Sequence, residues 1–185
     1  MAQRTSLRDP LRDPLRATFA RATVGDAPTI ARVRTAAADD LTRRYGQGYW
    51  STQTTERGVL AGMRDSHVLI ARRGPAIVAT CRLSSRKPWA IDVSYFTRCD
   101  SPVYLTDMAV RPDYQRKGIG RALLEQAALG ALAWGADAIR LDAHDADAGA
   151  GDFYLRCGYR QTGVVTYRDV PLVYYERLLL PLPAG

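Results

Sequence analysis

Ile30, Val33, Ala37 and Leu41 recur at helical spacing, preceded by Asp26 as a fitting N-cap and by Pro28, whose missing N–H costs nothing in a first turn. A short strand is expected before them, over 18–23. A second helix is predicted over 53–65, opened by Ser51 or Thr52, with Val59, Leu60 and Met63 on one face. Between the two helices lies Tyr45-Gly46-Gln47-Gly48-Tyr49-Trp50, an aromatic, glycine-rich loop. Strands at 67–72 and 76–83 flank Gly74-Pro75 as a hairpin. After a long connection over 84–102 come a strand at 104–110, a helix at 118–134 and a strand at 138–143. A short helix at 149–157 ends at Gly158, and strands at 162–168 and 172–179 close the chain. This order predicts an α/β fold, a mixed sheet with helices on both faces.

The first sixteen residues stand apart. Leu7-Arg8-Asp9-Pro10 is repeated as Leu11-Arg12-Asp13-Pro14, and prolines at that spacing discourage a helix. Residues 1–16 are therefore expected to form a flexible tail and 17–185 a single domain. With 46% hydrophobic and 24% charged residues, the composition is that of a soluble globular protein. Neither an apolar run of the roughly 18–20 residues that span a bilayer nor a secretory signal is visible, so a cytoplasmic location without membrane contact is expected. Cys81, Cys99 and Cys157 are scattered, and His67 and His144 are the only histidines. That spacing supports free thiols and no metal site. The net charge of +7 is mostly arginine spread along the chain, including Arg4, Arg8, Arg12 and Arg16. No basic stripe or nucleic-acid motif accompanies it, which argues against a nucleic-acid partner.

The chemistry concentrates between Tyr104 and Leu124. An apolar strand runs into a basic turn, two glycines and a long helix with Ile119, Leu123, Leu124, Ala127, Ala128 and Ala131 on one face. A helix start exposes unpaired N–H groups and partial positive charge, glycines admit close approach, and Arg116, Lys117 and Arg121 add full charges. Such a junction suits a pyrophosphate. The string G-x-x-x-x-G-K-[ST] is absent, and Leu123 stands where a dinucleotide fingerprint needs a third glycine or alanine.

Gln115-Arg116-Lys117-Gly118-Ile119-Gly120 resembles the Q/R-x-x-G-x-G/A loop of the GNAT superfamily of N-acetyltransferases, and Val110-Arg111-Pro112 resembles the end of the strand before it. Asp152-Phe153-Tyr154-Leu155-Arg156-Cys157-Gly158-Tyr159 is similar to the family's F-Y-x-[KR]-x-G-[FY] segment. Asp145 and Asp147 stand where many relatives have asparagine. The resemblance runs from residue 18 to about 180. It implies a sheet of six to seven strands with a V-shaped opening and about four helices, and acetyl-CoA as cosubstrate. Gln115, Arg116, Lys117, Gly118, Ile119, Gly120 and Arg121 would hold the pyrophosphate, and the backbone of Met108, Ala109 and Val110 the pantetheine and thioester. Tyr154 would be the acid that protonates the leaving thiolate. Asp107 leads as base for the acceptor amine, with His144 and Glu56 as weaker candidates.

By the same resemblance, the acceptor walls would come from the first two helices, the 84–102 connection and the last hairpin. These carry Tyr49, Trp50, Trp89, Tyr95, Phe96 and Tyr174, an aromatic set that suggests an apolar or cationic small-molecule amine. A protein N-terminus or lysine, a charged tRNA, or a coenzyme-A-binding regulatory module without turnover are the other readings. A homodimer, paired through the C-terminal strand, is also open.

Overall fold

The computed structural model describes residues 17–179, so the tail expected over 1–16 lies outside the described residues. Seven strands form one sheet: β1 (Thr18–Arg21), β2 (His67–Arg73), β3 (Ala76–Ser84), β4 (Pro102–Val110), β5 (Ala138–His144), β6 (Arg160–Tyr167) and β7 (Val170–Leu178). Their spatial order is β1-β2-β3-β4-β5-β7-β6. All neighbours are antiparallel except β4 and β5. Four helices complete the described fold: α1 (Ala27–Tyr45), α2 (Glu56–Met63), α3 (Ile119–Ala133) and α4 (Gly151–Arg156). None is long and apolar enough to cross a membrane.

The helices divide the core in two. Ile30 and Val33 of α1 and Val59 of α2 pack on Val68, Ile70 and Ile77 on one face of the sheet. On the other face Leu123, Leu124 and Ala127 of α3 meet Val78, Leu83, Val103, Ile139 and Leu141. Alanines at 127, 128 and 131 let α3 lie close to the strands, and close packing is what makes burial stabilising. Helix α2 is shorter than predicted because its cap lies further along the chain. Thr55 accepts from Gly58 N at 3.1 Å, whereas Ser51 bonds to Thr42 and to Gly48 N inside the preceding loop.

Two features of β4 shape the centre. Its parallel pairing with β5 covers only Pro102–Tyr104 against Ala138–Arg140, and past these residues the strands part. From Leu105 onward, the edge of β4 toward β5 has no strand partner, which produces the V-shaped opening. On its other edge Arg82 pairs with Thr106 and Thr80 with Ala109, so Asp107 and Met108 together oppose Cys81. This bulge places Asp107 at φ +56°, a left-handed conformation that few non-glycine residues adopt.

Two expectations are corrected. The C-terminal strand β7 lies between β5 and β6 and offers no free edge; β1 and β6 are the edge strands. The aromatics of the 84–102 connection are mostly packing groups. Phe96 stacks on the buried Tyr174 at 5.3 Å, and the Tyr174 hydroxyl accepts from Asp92 N and donates to Ala90 O. Glu176, 0% exposed, anchors the same segment: it accepts from Thr97 Oγ1 at 2.8 Å, Arg140 Nε at 3.2 Å and Arg160 at 2.7 Å. Trp89, by contrast, is 83% exposed and far from forming a wall.

Candidate active site

Beyond β4 the chain makes one 3-10 turn at Pro112–Tyr114 and enters α3. Gln115 Nε2 donates to Val110 O at 3.1 Å and Arg111 N to Val78 O at 2.9 Å, which ties the turn to the sheet. Arg116 at φ 57° and Gly118 at φ 80° are both left-handed, and they swing the chain so that α3 starts beside the end of β4. Ile119 is buried, so it can offer a ligand only its backbone. The first amides of α3 have no intrahelical acceptor. Around them Arg116, Lys117 and Arg121 make no ion pair among the described residues, and Lys117 rests over the Tyr114 ring at 5.3 Å. Uncompensated charge at bare amides fits a polyanion such as the pyrophosphate of coenzyme A.

Gly120 has a further role that sequence reasoning missed. A Cβ there would stand 3.2 Å from Phe153, 3.3 Å from Val110 and 3.4 Å from Met108. Its bareness brings α3, β4 and α4 together at the mouth of the opening. Met108 and Val110 pack toward α3 and Ala109 toward α1, so along this stretch only the main chain faces the unpaired edge.

Tyr154 sits on α4 at 6% exposure, its ring against Phe153, Tyr159 and Tyr175. Its hydroxyl makes no hydrogen bond among the described residues. Burial pushes its phenol well above the usual range, so the O–H persists through neutral pH. Cys81, fully buried across from the bulge, has a thiol pushed up to about 12 by burial, which makes it inert at neutral pH.

On the face of the sheet that carries α1 and α2, Asp107 Oδ2 forms ion pairs with Arg82, 2.7 Å from its Nε, and with Arg34, 3.3 Å from its Nη1. Both contacts use Oδ2, and Oδ1 has no partner among the described residues. Arg34 and Arg82 escaped sequence reasoning, although each interrupts an apolar pattern: Arg34 one turn after Ile30, Arg82 between Cys81 and Leu83. The three residues form one end of a cleft of about 520 Å³ lined by Gln53, Thr54 and Thr55, by α2, and by Ser66, Ser84 and Arg86. Its lining is polar, contrary to the expected aromatic wall.

His144 ends β5, stacked on Tyr49 at 6.0 Å with Trp50 edge-on at 6.3 Å. Tyr49 donates to Asp169 O at 3.2 Å, which ties the α1–α2 loop to the β6–β7 turn over this imidazole. Burial lowers the His144 pKa below its ordinary value and raises that of Asp142, two residues earlier on the strand. Glu56 is exposed and does not line the cleft. Asp145 and Asp147 are exposed too.

No curated protein matches this chain by sequence. Many solved structures share its fold. The Thermoplasma acidophilum PaiA N-acetyltransferase in complex with coenzyme A superposes with a TM-score of 0.67 at 16% identity, covering 88% of this chain and 98% of that one. The Salmonella typhimurium protein yncA with acetyl-CoA gives 0.65 at 18% identity, over 91% and 97%. The Escherichia coli ribosomal-protein-S18-alanine N-acetyltransferase gives 0.65 at 17% identity, over 91% and 96%. The acetyltransferase (GNAT) family description matches residues 34–159, a span that holds the bulged strand, the basic glycine turn and Tyr154 together. The chain therefore belongs to the GNAT family of acetyltransferases.

Proposed function

We propose that this protein is an N-acetyltransferase that moves an acetyl group from acetyl-CoA to the primary amine of a small molecule, directly, in a ternary complex. The observation that carries this reading is the uncompensated cationic start of α3 beside the unpaired edge of β4, with α4, the helix of Tyr154, packed on both through Phe153. Acetyl-CoA supplies the thioester. The amides at Gly118–Gly120, with Arg116, Lys117 and Arg121, hold its pyrophosphate, and Gln115 braces their turn on Val110. Main-chain groups of Met108, Ala109 and Val110 hold the pantetheine and polarise the thioester carbonyl, as fixed dipoles do in oxyanion sites.

Tyr154 gives its proton to the departing sulfur. A phenol, its pKa ordinarily about 10, carries this proton at neutral pH. Asp107 orients the incoming amine through Oδ1 and takes its proton, while Arg34 and Arg82 fix the carboxylate through Oδ2. His144 is a second proton acceptor worth separating from Asp107, because its lowered pKa leaves the imidazole neutral near pH 7. The cleft of about 520 Å³ next to Asp107 is of a size that takes a small acceptor. Release of free thiol from acetyl-CoA, followed while a panel of small amines and peptide N-termini is added, tests the reading. Amine-dependent thiol release with small acceptors supports it; release with peptides alone, or none with any amine, contradicts it.

A further inference from the structure

We infer that the acceptor amine also carries a carboxylate, bound in the cleft between α2 and β3 by the guanidiniums of Arg82 and Arg86; this deepens, and rests on, the transferase reading above. The cleft is lined by three arginines, Arg34, Arg82 and Arg86, against two carboxylates, Asp65 and Asp107, which leaves it one positive charge in excess. Asp107 occupies only one nitrogen of each of its arginines. Arg82 donates its Nε–H to Thr106 Oγ1 at 3.0 Å and holds that nitrogen in an ion pair 2.7 Å from Asp107 Oδ2, and its two terminal nitrogens make no hydrogen bond or ion pair among the described residues. The Arg86 guanidinium is likewise unpartnered among them, while its backbone N donates to Ser84 Oγ at 3.0 Å.

Helix α2 is shaped around that open fork. Gly58 and Gly62, one turn apart, both line the cleft, and a Cβ on Gly62 would stand 3.1 Å from Arg82 Nη1. The planar pair of terminal guanidinium nitrogens matches the two oxygens of a carboxylate. Behind it Arg34, with a side chain 10% exposed, keeps Nε and Nη2 buried and unpartnered, so its charge is incompletely neutralised and adds to the field of the cleft. A dianion would be opposed by Asp65 and Asp107, whereas a monoanion balances the single excess charge. The cleft thus suits a zwitterion, with the ammonium toward Asp107 Oδ1 and the carboxylate toward the terminal nitrogens of Arg82 and the Arg86 guanidinium.

Calorimetric titration of the protein, in the presence of coenzyme A, with amino acids, their uncharged carboxamides and their phosphonate analogues tests this. At least one amino acid is expected to bind about tenfold or more tighter than its carboxamide, as a charge-assisted pair contributes. Arg86→Gln is expected to erase that difference and leave carboxamide binding unchanged. Equal or tighter binding of carboxamides, tighter binding of phosphonates, no binding by any amino acid, or an equal loss for acid and carboxamide in Arg86→Gln would each overturn the inference. Binding is read without turnover, so a failure of acetylation alone counts against the transferase reading and not against the carboxylate site.

Discussion

Phe153 of α4 packs against the bare Cα of Gly120 in α3, its ring edge 3.2 Å from the place a Cβ would occupy. The helix that starts the anion site and the helix that carries Tyr154 are therefore fitted to each other through one missing side chain. Gly120→Val should force Phe153, Val110 and Met108 apart. A loss of about 1–3 kcal/mol in stability is expected, the usual cost of overpacking, together with weaker coenzyme A binding. Thermal melting and calorimetry on the same variant check both; an unchanged melt and affinity would show that the contact is slack.

Tyr154→Phe separates chemistry from packing. The ring keeps its contacts with Tyr159 and Tyr175, and the hydroxyl has no hydrogen bond to lose among the described residues. Stability and the KM for acetyl-CoA should hold, while kcat falls by about 10²–10⁴, the range for a positioned acid. Steady-state kinetics with a denaturation control decide it: an unaltered kcat would make Tyr154 a packing residue.

Asp107 and His144 are distinguished by a pair of variants. Asp107→Asn should lower kcat by about 10²-fold or more, as loss of a general base does. His144→Gln should stay within a few-fold of the parent. The reverse pattern, with an acid limb in the pH profile below the ordinary histidine value of 6.5 that disappears in His144→Gln, would move the proton to the imidazole.

Glu176 links the 84–102 connection to β5 and β6 through Thr97, Arg140 and Arg160. Burial raises its pKa, but the hydrogen bonds from Thr97, Arg160 and Arg140 outweigh that and hold it below the ordinary 4.5. Its stabilisation is therefore complete above about pH 4.5 and is lost as pH falls through the lower folded value. Glu176→Gln should cost about 3–5 kcal/mol at pH 7, because it leaves Arg140 buried and unmatched, and the deficit should shrink in acid. Urea melts at pH 7 and below pH 4 test this; a deficit that stays constant between them would rule out the carboxylate as its source.

How much of this was legible in the sequence follows from how local each signal is. The start of α3 was readable because glycines, basic residues and a helical apolar stripe lie within twenty consecutive positions. Element order was readable for the same reason. The place of β7 inside the sheet was not, since pairing between Leu141 and Tyr175 or Val164 and Val173 depends on neighbours distant in sequence. Tyr174 and Phe96 read as ligand-facing aromatics because a side chain's direction is set by tertiary packing. The Arg34–Asp107–Arg82 cluster joins α1, β4 and β3, so no window of the sequence contains it.

The most direct test is a calorimetric titration of the full chain with coenzyme A. Saturable one-to-one binding, weakening as salt screens Arg116, Lys117 and Arg121, is the expected result. An absence of binding up to millimolar ligand, under conditions where the protein is folded, would contradict the anion site at Gly118 and with it the proposed activity.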